Sequence, residues 1–358
     1  MNARVQRPPA EQLYADELAA LAANDSGPRP PGWRLSMPAV RRFILGEGQA
    51  RAKIVCAPSL IERAMVTLAS NRALLLIGEP GTAKSLLSEL LAAAICGSST
   101  LTVQGSAATT EDQIKYGWNY ALLLNEGPSQ KALVASPLMR AMREGRVARF
   151  EEITRCPPEV QDALLSILSE RLLAVPELGD AGSVFAAPGF NLIATANTRD
   201  RGVNEMSAAL KRRFSFETVF PIADADQELA LVQAEVARLL AQDGVPRTPA
   251  PEVLEVLVTT FRELRTGLDS EAQAGELLSS VVSTAEAVSV AHAVALRGHY
   301  LRGDAGQAGD IVELLAGAAA KDNPEDLKKI RRYIEQRASR RKGEAWRAFH
   351  AARHLLPE

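Results

Sequence analysis

Between residues 57 and 220 the chain alternates short, mainly apolar runs with segments in which apolar residues recur at helical spacing. The runs are four to six residues long, a length typical of strands in a parallel sheet that is buried on both faces. They are residues 73–77, 100–104, 146–151, 191–196 and 217–220. Helical segments separate them at about 82–96, 137–144 and 158–172. Because parallel strands need crossover connections, the pattern predicts an α/β fold with a five-stranded parallel sheet flanked by helices.

The strand pattern stops after Pro221. Leucine, valine and alanine then recur at helical spacing over residues 224–243, 251–264, 274–299 and 308–320. This pattern predicts a second, smaller unit that is entirely helical. Near the end of this unit, residues 328–354 are strongly basic. They hold ten lysines and arginines against two acids, a net charge of +8.

The N-terminal residues are rich in proline and read as a linker. Five prolines (Pro8, Pro9, Pro28, Pro30 and Pro31) bracket one short helical stretch at about 11–23. Proline at that density favours an extended segment over packed structure. We therefore predict a flexible segment at 1–36, an α/β nucleotide-binding domain at 37–222, a helical lid at 223–305 and a basic helical extension at 306–358.

Composition narrows the class of protein. The 358 residues are 47% hydrophobic and 23% charged, with a net charge of −2, so no whole-protein field attracts nucleic acid or anionic lipid. No run approaches the roughly 18 apolar residues of a membrane span, and the N-terminus has no signal-peptide stretch. The three cysteines form no C-x-x-C pair, which argues against a disulfide framework and structural zinc. These features predict a cytoplasmic protein.

The candidate chemistry begins directly after the first predicted strand. Residues 78–85 approach the phosphate-loop pattern G-x-x-x-x-G-K-[ST], with alanine in place of the last glycine. In order they are Gly78, Glu79, Pro80, Gly81, Thr82, Ala83, Lys84 and Ser85. Backbone N–H groups of such a loop form an anion nest at a helix N-terminus. Lys84 is expected to reach the β- and γ-phosphates, and the Ser85 hydroxyl to ligate Mg²⁺.

An acidic partner follows on a neighbouring predicted strand. Glu151 and Glu152 end the run 146–151 and begin the next segment. We expect Glu151 to hold the Mg²⁺ shell and Glu152 to polarise the attacking water. Arg149 interrupts what is normally a continuous apolar strand.

Two further candidates follow along the chain. Asn197 ends the strand at 191–196, and strand C-termini line the ligand crevice of a parallel sheet. Its amide is expected to orient a water against the γ-phosphate. Sixteen residues later comes Arg213, next to Arg212 in a basic cluster. If these arginines end a helix on the far side of the domain, they can act on a neighbouring subunit's site.

These elements, in this order and spacing, resemble the AAA+ ATPases, most closely the MoxR-like members of the dynein-related branch, over about residues 40–300. The most specific stretch, residues 152–165, reads E-I-T-R-C-P-P-E-V-Q-D-A-L-L, similar to the MoxR pattern E-I-N-R-A-P-P-x-x-Q-x-A-L-L. The resemblance assigns functional residues to four motifs: Lys84 and Ser85 to Walker A, Glu151 and Glu152 to Walker B, Asn197 to sensor 1, and Arg213, with Arg212 as the alternative, to the arginine finger. It also implies Mg²⁺-ATP as cofactor and a homo-oligomeric, hexameric ring.

Two insertions fit the same family. Residues 118–134 read as a hairpin with its turn at 125–129, and residues 173–190 as a second hairpin before the sensor strand. In the family such hairpins contact the client protein. Trp118, Tyr120 and three successive leucines are costly to expose without a partner.

The resemblance implies an ATPase that remodels a protein client or adaptor, in relatives commonly with a protein bearing a von Willebrand factor A domain. A different reading is a nucleotide-gated assembly switch with little hydrolysis, favoured by Ala83, by Glu151 in place of aspartate, and by Ala285 where relatives carry the sensor-2 arginine. A third is a DNA-acting AAA+ motor, similar to the restriction-associated GTPases of the superfamily and supported only by the +8 segment. The sequence leaves ATP against GTP open.

Overall fold

The computed structural model describes residues 6–46, 51–197, 204–267, 277–278 and 282–357. It divides into two compact units. The first consists of Met1–Gly78 with Ala83–Val219, and the second of Phe220–Glu358 with the four loop residues Glu79–Thr82.

The first unit is built on a parallel sheet of five strands. In chain order the nine strands of the described residues are β1 (Ala73–Gly78), β2 (Thr102–Gln104), β3 (Tyr116–Trp118), β4 (Leu133–Ala135), β5 (Val147–Glu151), β6 (Leu172–Leu173), β7 (Val184–Phe185), β8 (Asn191–Asn197) and β9 (Phe214–Thr218). The main sheet has the order β2-β5-β8-β1-β9, and all four of its pairings are parallel. The predicted α/β fold with a five-stranded parallel sheet is confirmed.

Seventeen α-helices accompany the strands in the described residues. They are α1 (Ala10–Leu13), α2 (Ala15–Asn24), α3 (Met37–Leu45), α4 (Pro58–Ala69), α5 (Lys84–Cys96), α6 (Glu111–Ile114), α7 (Tyr120–Glu126), α8 (Pro137–Glu144), α9 (Pro158–Asp162), α10 (Leu164–Ser169), α11 (Ala208–Lys211), α12 (Ala225–Asp243), α13 (Pro251–Thr266), α14 (Thr284–Arg297), α15 (Ala308–Leu315), α16 (Pro324–Gln336) and α17 (Glu344–Ala351). Among the described residues, no helix is both long and apolar enough to cross a membrane.

Local sequence chemistry explains where these helices begin and end. Ser36 and Ser136 cap α3 and α8 through their side chains, and a proline stands in the first turn of each helix. Both helices end at a glycine in the left-handed conformation, Gly46 and Gly145. This combination of a hydroxyl cap, an early proline and a terminal glycine is the pattern that fixes helix limits in sequence.

The fifth strand lies earlier in the chain than predicted. β9 covers Phe214–Thr218, not residues 217–220. Phe214 is fully buried opposite Ala73 of β1, whereas Phe220 is 74% exposed. The apolar pair Val219-Phe220 lies after the end of β9, and only Val219 of the two is buried.

The linker prediction for residues 1–36 is wrong where the structure describes that segment. Residues 6–36 form α1 and α2 and bury Trp33 and Leu35 in the core of the first unit. Glu11 accepts hydrogen bonds from the Ser99 backbone N–H (3.1 Å) and hydroxyl (2.6 Å). The prolines of this segment therefore do not prevent it from packing against the rest of the first unit.

The two insertions differ in how they match their predictions. β6 and β7 pair antiparallel, which confirms the hairpin at 173–190. β3 and β4 also pair antiparallel, but residues 120–126 form α7 and not a strand. Asn119 caps this helix by accepting a hydrogen bond from the Leu122 N–H (3.3 Å), and the following alanine and leucines are strong helix formers.

The second unit is helical in the described residues, as predicted from its apolar spacing. One buried cluster runs from Val232 of α12 to Leu356. The basic C-terminal segment contributes to that core through Ile330, Trp346 and Phe349.

Candidate functional site

The loop between β1 and α5 adopts the conformation that an anion nest requires. Gly81 has φ 76° and Ala83 has φ 65°, ψ 24°. The left-handed region costs a residue with a Cβ roughly 1–2 kcal/mol, which explains why glycine is usual at position 83. Ala83 therefore carries backbone strain at the start of α5.

Lys84 is the first residue of α5 and is 6% exposed. Its ammonium donates a hydrogen bond to the Gly78 carbonyl (3.1 Å). The side chain thus folds back along the loop and keeps its charge at the carboxyl end of β1, where a phosphate would lie.

Glu151 ends β5 and is the centre of the site's hydrogen-bond network. Its Oε2 accepts from the hydroxyls of Ser85 (2.7 Å) and Thr195 (2.8 Å). Its Oε1 accepts from the Ser88 hydroxyl (2.7 Å) and from Arg149 (2.7 Å). Burial alone would raise the pKa of Glu151, but the Arg149 charge and the three hydroxyls hold it below the ordinary value of 4.5. The carboxylate is therefore ionised at neutral pH.

The Ser85–Glu151 contact fits a magnesium ion. Hydroxyl, carboxylate and phosphate oxygens are the ligands that Mg²⁺ takes in nucleotide sites. Ser85 and Glu151 bring a hydroxyl and a carboxylate oxygen to 2.7 Å of each other at the end of the phosphate loop, so both residues could hold the ion and its water shell.

Glu152 follows Glu151 in a left-handed conformation (φ 55°), which turns its side chain away from the strand direction. Its N–H donates to the Thr195 hydroxyl (2.9 Å). Its carboxylate pairs with Arg155 (3.0 Å) and lies 3.4 Å from the Gln104 amide nitrogen. Thr195 therefore joins the backbone of Glu152 to the carboxylate of Glu151, a link that sequence analysis missed.

Gly105, directly after β2, is a second residue that the sequence analysis missed, and it supports the backbone of the two glutamates. Its N–H donates to the Glu151 carbonyl (2.7 Å). A Cβ at this position would lie 2.9 Å from the same carbonyl oxygen and closer still to that of Glu152. No side chain fits, because both neighbours are backbone.

We expect Gly105→Ala to lower the free energy of unfolding by about 1–3 kcal/mol, the usual cost of overpacking. Urea unfolding measures this. Gly117→Ala is the matched control, since nothing lies within 4 Å of its added Cβ, and we expect a change within about 0.5 kcal/mol. Equal unfolding midpoints for the two variants would contradict the close approach.

Asn197 ends β8 and pairs in register with Gly78. Because the strands are parallel, Asn197, the phosphate loop and Glu151 meet at the same edge of the sheet. The structure thus brings together Lys84, Ser85, the two glutamates and Asn197.

Arg212 and Arg213 lie at the other edge. The Arg213 carbonyl accepts a hydrogen bond from the N–H of Ala73, the first residue of β1, and Phe214 pairs with Ala73. Gly78 is five residues further along the strand, roughly 16 Å at the usual rise. The Arg213 guanidinium donates to the Ser169 hydroxyl (2.8 Å) and the Ala209 carbonyl (3.3 Å). The structure does not bring the arginines to the phosphate loop of the same chain.

Comparison with known proteins covers both units. Residues 73–214 match the AAA domain (dynein-related subfamily), and residues 226–357 match the YehL-like AAA+ ATPase C-terminal domain. YehL of Escherichia coli strain K12 is 59% identical over 359 residues, 99% of each chain. Protein SH1500 of Staphylococcus haemolyticus is 31% identical over 145 residues, 40% of this chain and 54% of that one. Among solved structures, NtrX from Brucella abortus in complex with ADP has a TM-score of 0.48 at 15% identity, covering 70% of this chain and 52% of that one.

Proposed function

Since the chain belongs to the YehL-like AAA+ ATPases, we propose that it binds Mg²⁺-ATP, hydrolyses it and converts the hydrolysis into movement of a protein client. The observation that carries this proposal is the hydrogen bond from the Ser85 hydroxyl to the Glu151 carboxylate (2.7 Å). The preceding residue, Lys84, places its ammonium on the Gly78 carbonyl of the same loop. These are the groups that a phosphate chain and its metal require in a P-loop site.

Each residue of the site has a distinct task in this proposal. Lys84 and the loop N–H groups bind the phosphates, and Ser85 and Glu151 hold the metal shell. Mg²⁺, when bound, neutralises charge on the phosphate oxygens. Glu152 takes the proton of the attacking water, which requires its carboxylate to leave Arg155. Asn197 orients that water from the end of β8.

We propose that the arginine finger acts between copies of the chain. The separation of Arg213 from Gly78 along β1 supports this, because an arginine at the far edge of the sheet can serve a neighbour's site. A closed ring gives every copy such a neighbour, and the family resemblance favours six copies.

The client surface proposed here is formed by the two insertions. Leu124 of α7 is 88% exposed and Phe185 of β7 is 70% exposed. A cleft of about 510 Å³ is lined by Trp118 of the first insertion and by Leu173 and Glu177 of the second. Among the described residues, its lining also includes Tyr116, three further carboxylates and Lys115. Insertions that carry exposed apolar side chains and line an acidic, aromatic cleft favour a protein partner with an apolar and basic segment. A partner with a von Willebrand factor A domain is proposed from the family resemblance alone. The cytoplasmic location is a separate prediction from the sequence.

We expect Lys84→Ala to weaken ATP binding about 10- to 100-fold, since hydrogen bonds to a charged group contribute about 1.5–3 kcal/mol. Calorimetric titration measures this. Lys131→Ala, which removes an ammonium paired with Glu126, is the matched control and should bind as the parent does. Unchanged ATP affinity in a folded Lys84→Ala variant is the outcome that sinks the phosphate-loop assignment.

The assembly switch is a second candidate function. The contact between Glu152 and Arg155 (3.0 Å) favours it, because a base that is held by an arginine does not polarise water. A nucleic-acid partner is not proposed. In the +8 segment Arg341 pairs with the buried Glu263, which also accepts from the Tyr333 hydroxyl (2.8 Å).

A further inference from the structure

A buried arginine lies directly behind the proposed magnesium ligand. Arg149 is 8% exposed, two residues before Glu151 on β5, and the two side chains share one face of the strand. Strands of this kind are otherwise apolar. A cation at this position therefore needs a physical reason.

The guanidinium is fixed by four hydrogen bonds. Its Nε donates to the Ser88 hydroxyl (2.9 Å) and its Nη1 to the Ser99 carbonyl (3.0 Å). Its Nη2 donates to the Ser85 carbonyl (3.0 Å) and to Glu151 Oε1 (2.7 Å). A rigid, planar fork of donors ties β5 to the first turns of α5 and to the segment before β2, a geometry that lysine cannot reproduce.

The four donors on Glu151 divide its carboxylate into two sides. Oε1 is taken by Arg149 and Ser88, whereas Oε2 faces the Ser85 hydroxyl and Thr195. Glutamate has one more rotatable bond than aspartate, the Walker-B residue of P-loop NTPases in general. Its carboxylate therefore needs more restraint to keep one orientation. The arginine fixes Oε1 of Glu151 and leaves Oε2 in its hydrogen bond with the Ser85 hydroxyl.

We propose that Arg149 is a positioning residue for the metal site, and that Arg149 and Glu151 act as one unit. Through this unit a glutamate serves at the position where P-loop NTPases in general use a Walker-B aspartate. The inference rests on the proposed Mg²⁺-nucleotide function and names the residue that shapes its metal shell. The arginine acts through Glu151 and does not touch the nucleotide.

The test is the Mg²⁺ dependence of ADP binding, which involves no turnover. ADP affinity is measured by calorimetry in EDTA and over a Mg²⁺ titration. For Arg149→Met we expect the half-saturating Mg²⁺ concentration to rise about 10- to 100-fold, the usual effect of losing a partner of a metal ligand. ADP affinity in EDTA should stay within about twofold of the parent. Arg149→Lys should recover part of the loss.

Two further variants keep the test decisive. Arg146→Met removes an arginine that precedes the same strand and pairs with Glu144, and it should behave as the parent does. Glu151→Asp retains the charge, but its side chain is too short to span both Ser85 and Arg149. It should therefore also raise the half-saturating Mg²⁺ concentration. This variant replaces Arg149→Met in the test if Arg149→Met does not fold.

The outcomes separate this inference from the function on which it rests. An unchanged Mg²⁺ titration in Arg149→Met overturns it, as does an equal loss of affinity with and without Mg²⁺, which indicates only a structural role. Glu151→Asp binding Mg²⁺-ADP as tightly as the parent also overturns it. Absence of nucleotide binding in the parent protein refutes the proposed function itself.

Discussion

Arg213→Ala is expected to bind ATP as the parent does and to lose about 10³–10⁵ in turnover, the contribution of an arginine finger. In the proposed function, the guanidinium neutralises charge that develops on the γ-phosphate of a neighbouring copy. Arg213 lies directly before β9, where its carbonyl accepts a hydrogen bond from Ala73. At this distance from Gly78, its loss should leave the nucleotide pocket of its own chain unchanged. Phosphate release and calorimetric ATP affinity, measured on the same preparation, check the two halves of the expectation.

Mixing variants tests the action between copies directly. Arg213→Ala supplies an intact pocket, and Lys84→Ala supplies an intact arginine, so a mixture of two inactive proteins should recover some activity. If Arg213 only belongs to a basic helix end and has no catalytic role, Arg213→Ala should turn over ATP nearly as fast as the parent. Mixing it with Lys84→Ala should then recover no activity. If Arg212→Ala shows the defect, the finger is shifted by one residue. If neither variant does, hydrolysis does not use this cluster.

Glu152→Gln is expected to bind ATP and to hydrolyse it about 10²–10⁴-fold more slowly, the range for loss of a general base. Glutamine keeps the volume and removes the charge, so bound ATP should persist and hold the assembled state. Light scattering with ATP and ADP follows assembly, and phosphate release follows turnover.

Glu159→Gln is the control for that variant, since Glu159 is exposed in the first turn of α9. It should behave as the parent does. Turnover at half the parent rate in Glu152→Gln would move the role of base to Glu151 or to another residue.

The parallel sheet and the candidate residues could be predicted from the sequence because both follow from short apolar runs and motifs of neighbouring residues. The run before Gly78 and the helix after Lys84 define the phosphate loop without any long-range information. The sequence also showed that alanine replaces the last glycine of the loop, but only the structure gives this residue its left-handed φ of 65°.

The remaining features depend on contacts between distant parts of the chain. In the sequence Arg149 only interrupts a strand, whereas in the fold its guanidinium meets Ser88, Ser99 and Glu151. Gly105 shows its importance only when β2 lies beside β5. The N-terminal prolines suggested a linker because Trp33 and Leu35 are too sparse to make a periodic pattern.

Hydrolysis of Mg²⁺-ATP at the site built on the phosphate loop is tested most directly by phosphate release from the purified parent protein beside Lys84→Ala. We expect steady, Mg²⁺-dependent phosphate release by the parent and none above background by Lys84→Ala. No release by a parent protein that binds ATP would contradict hydrolysis and favour the assembly switch. Equal release by the two proteins would contradict the site itself.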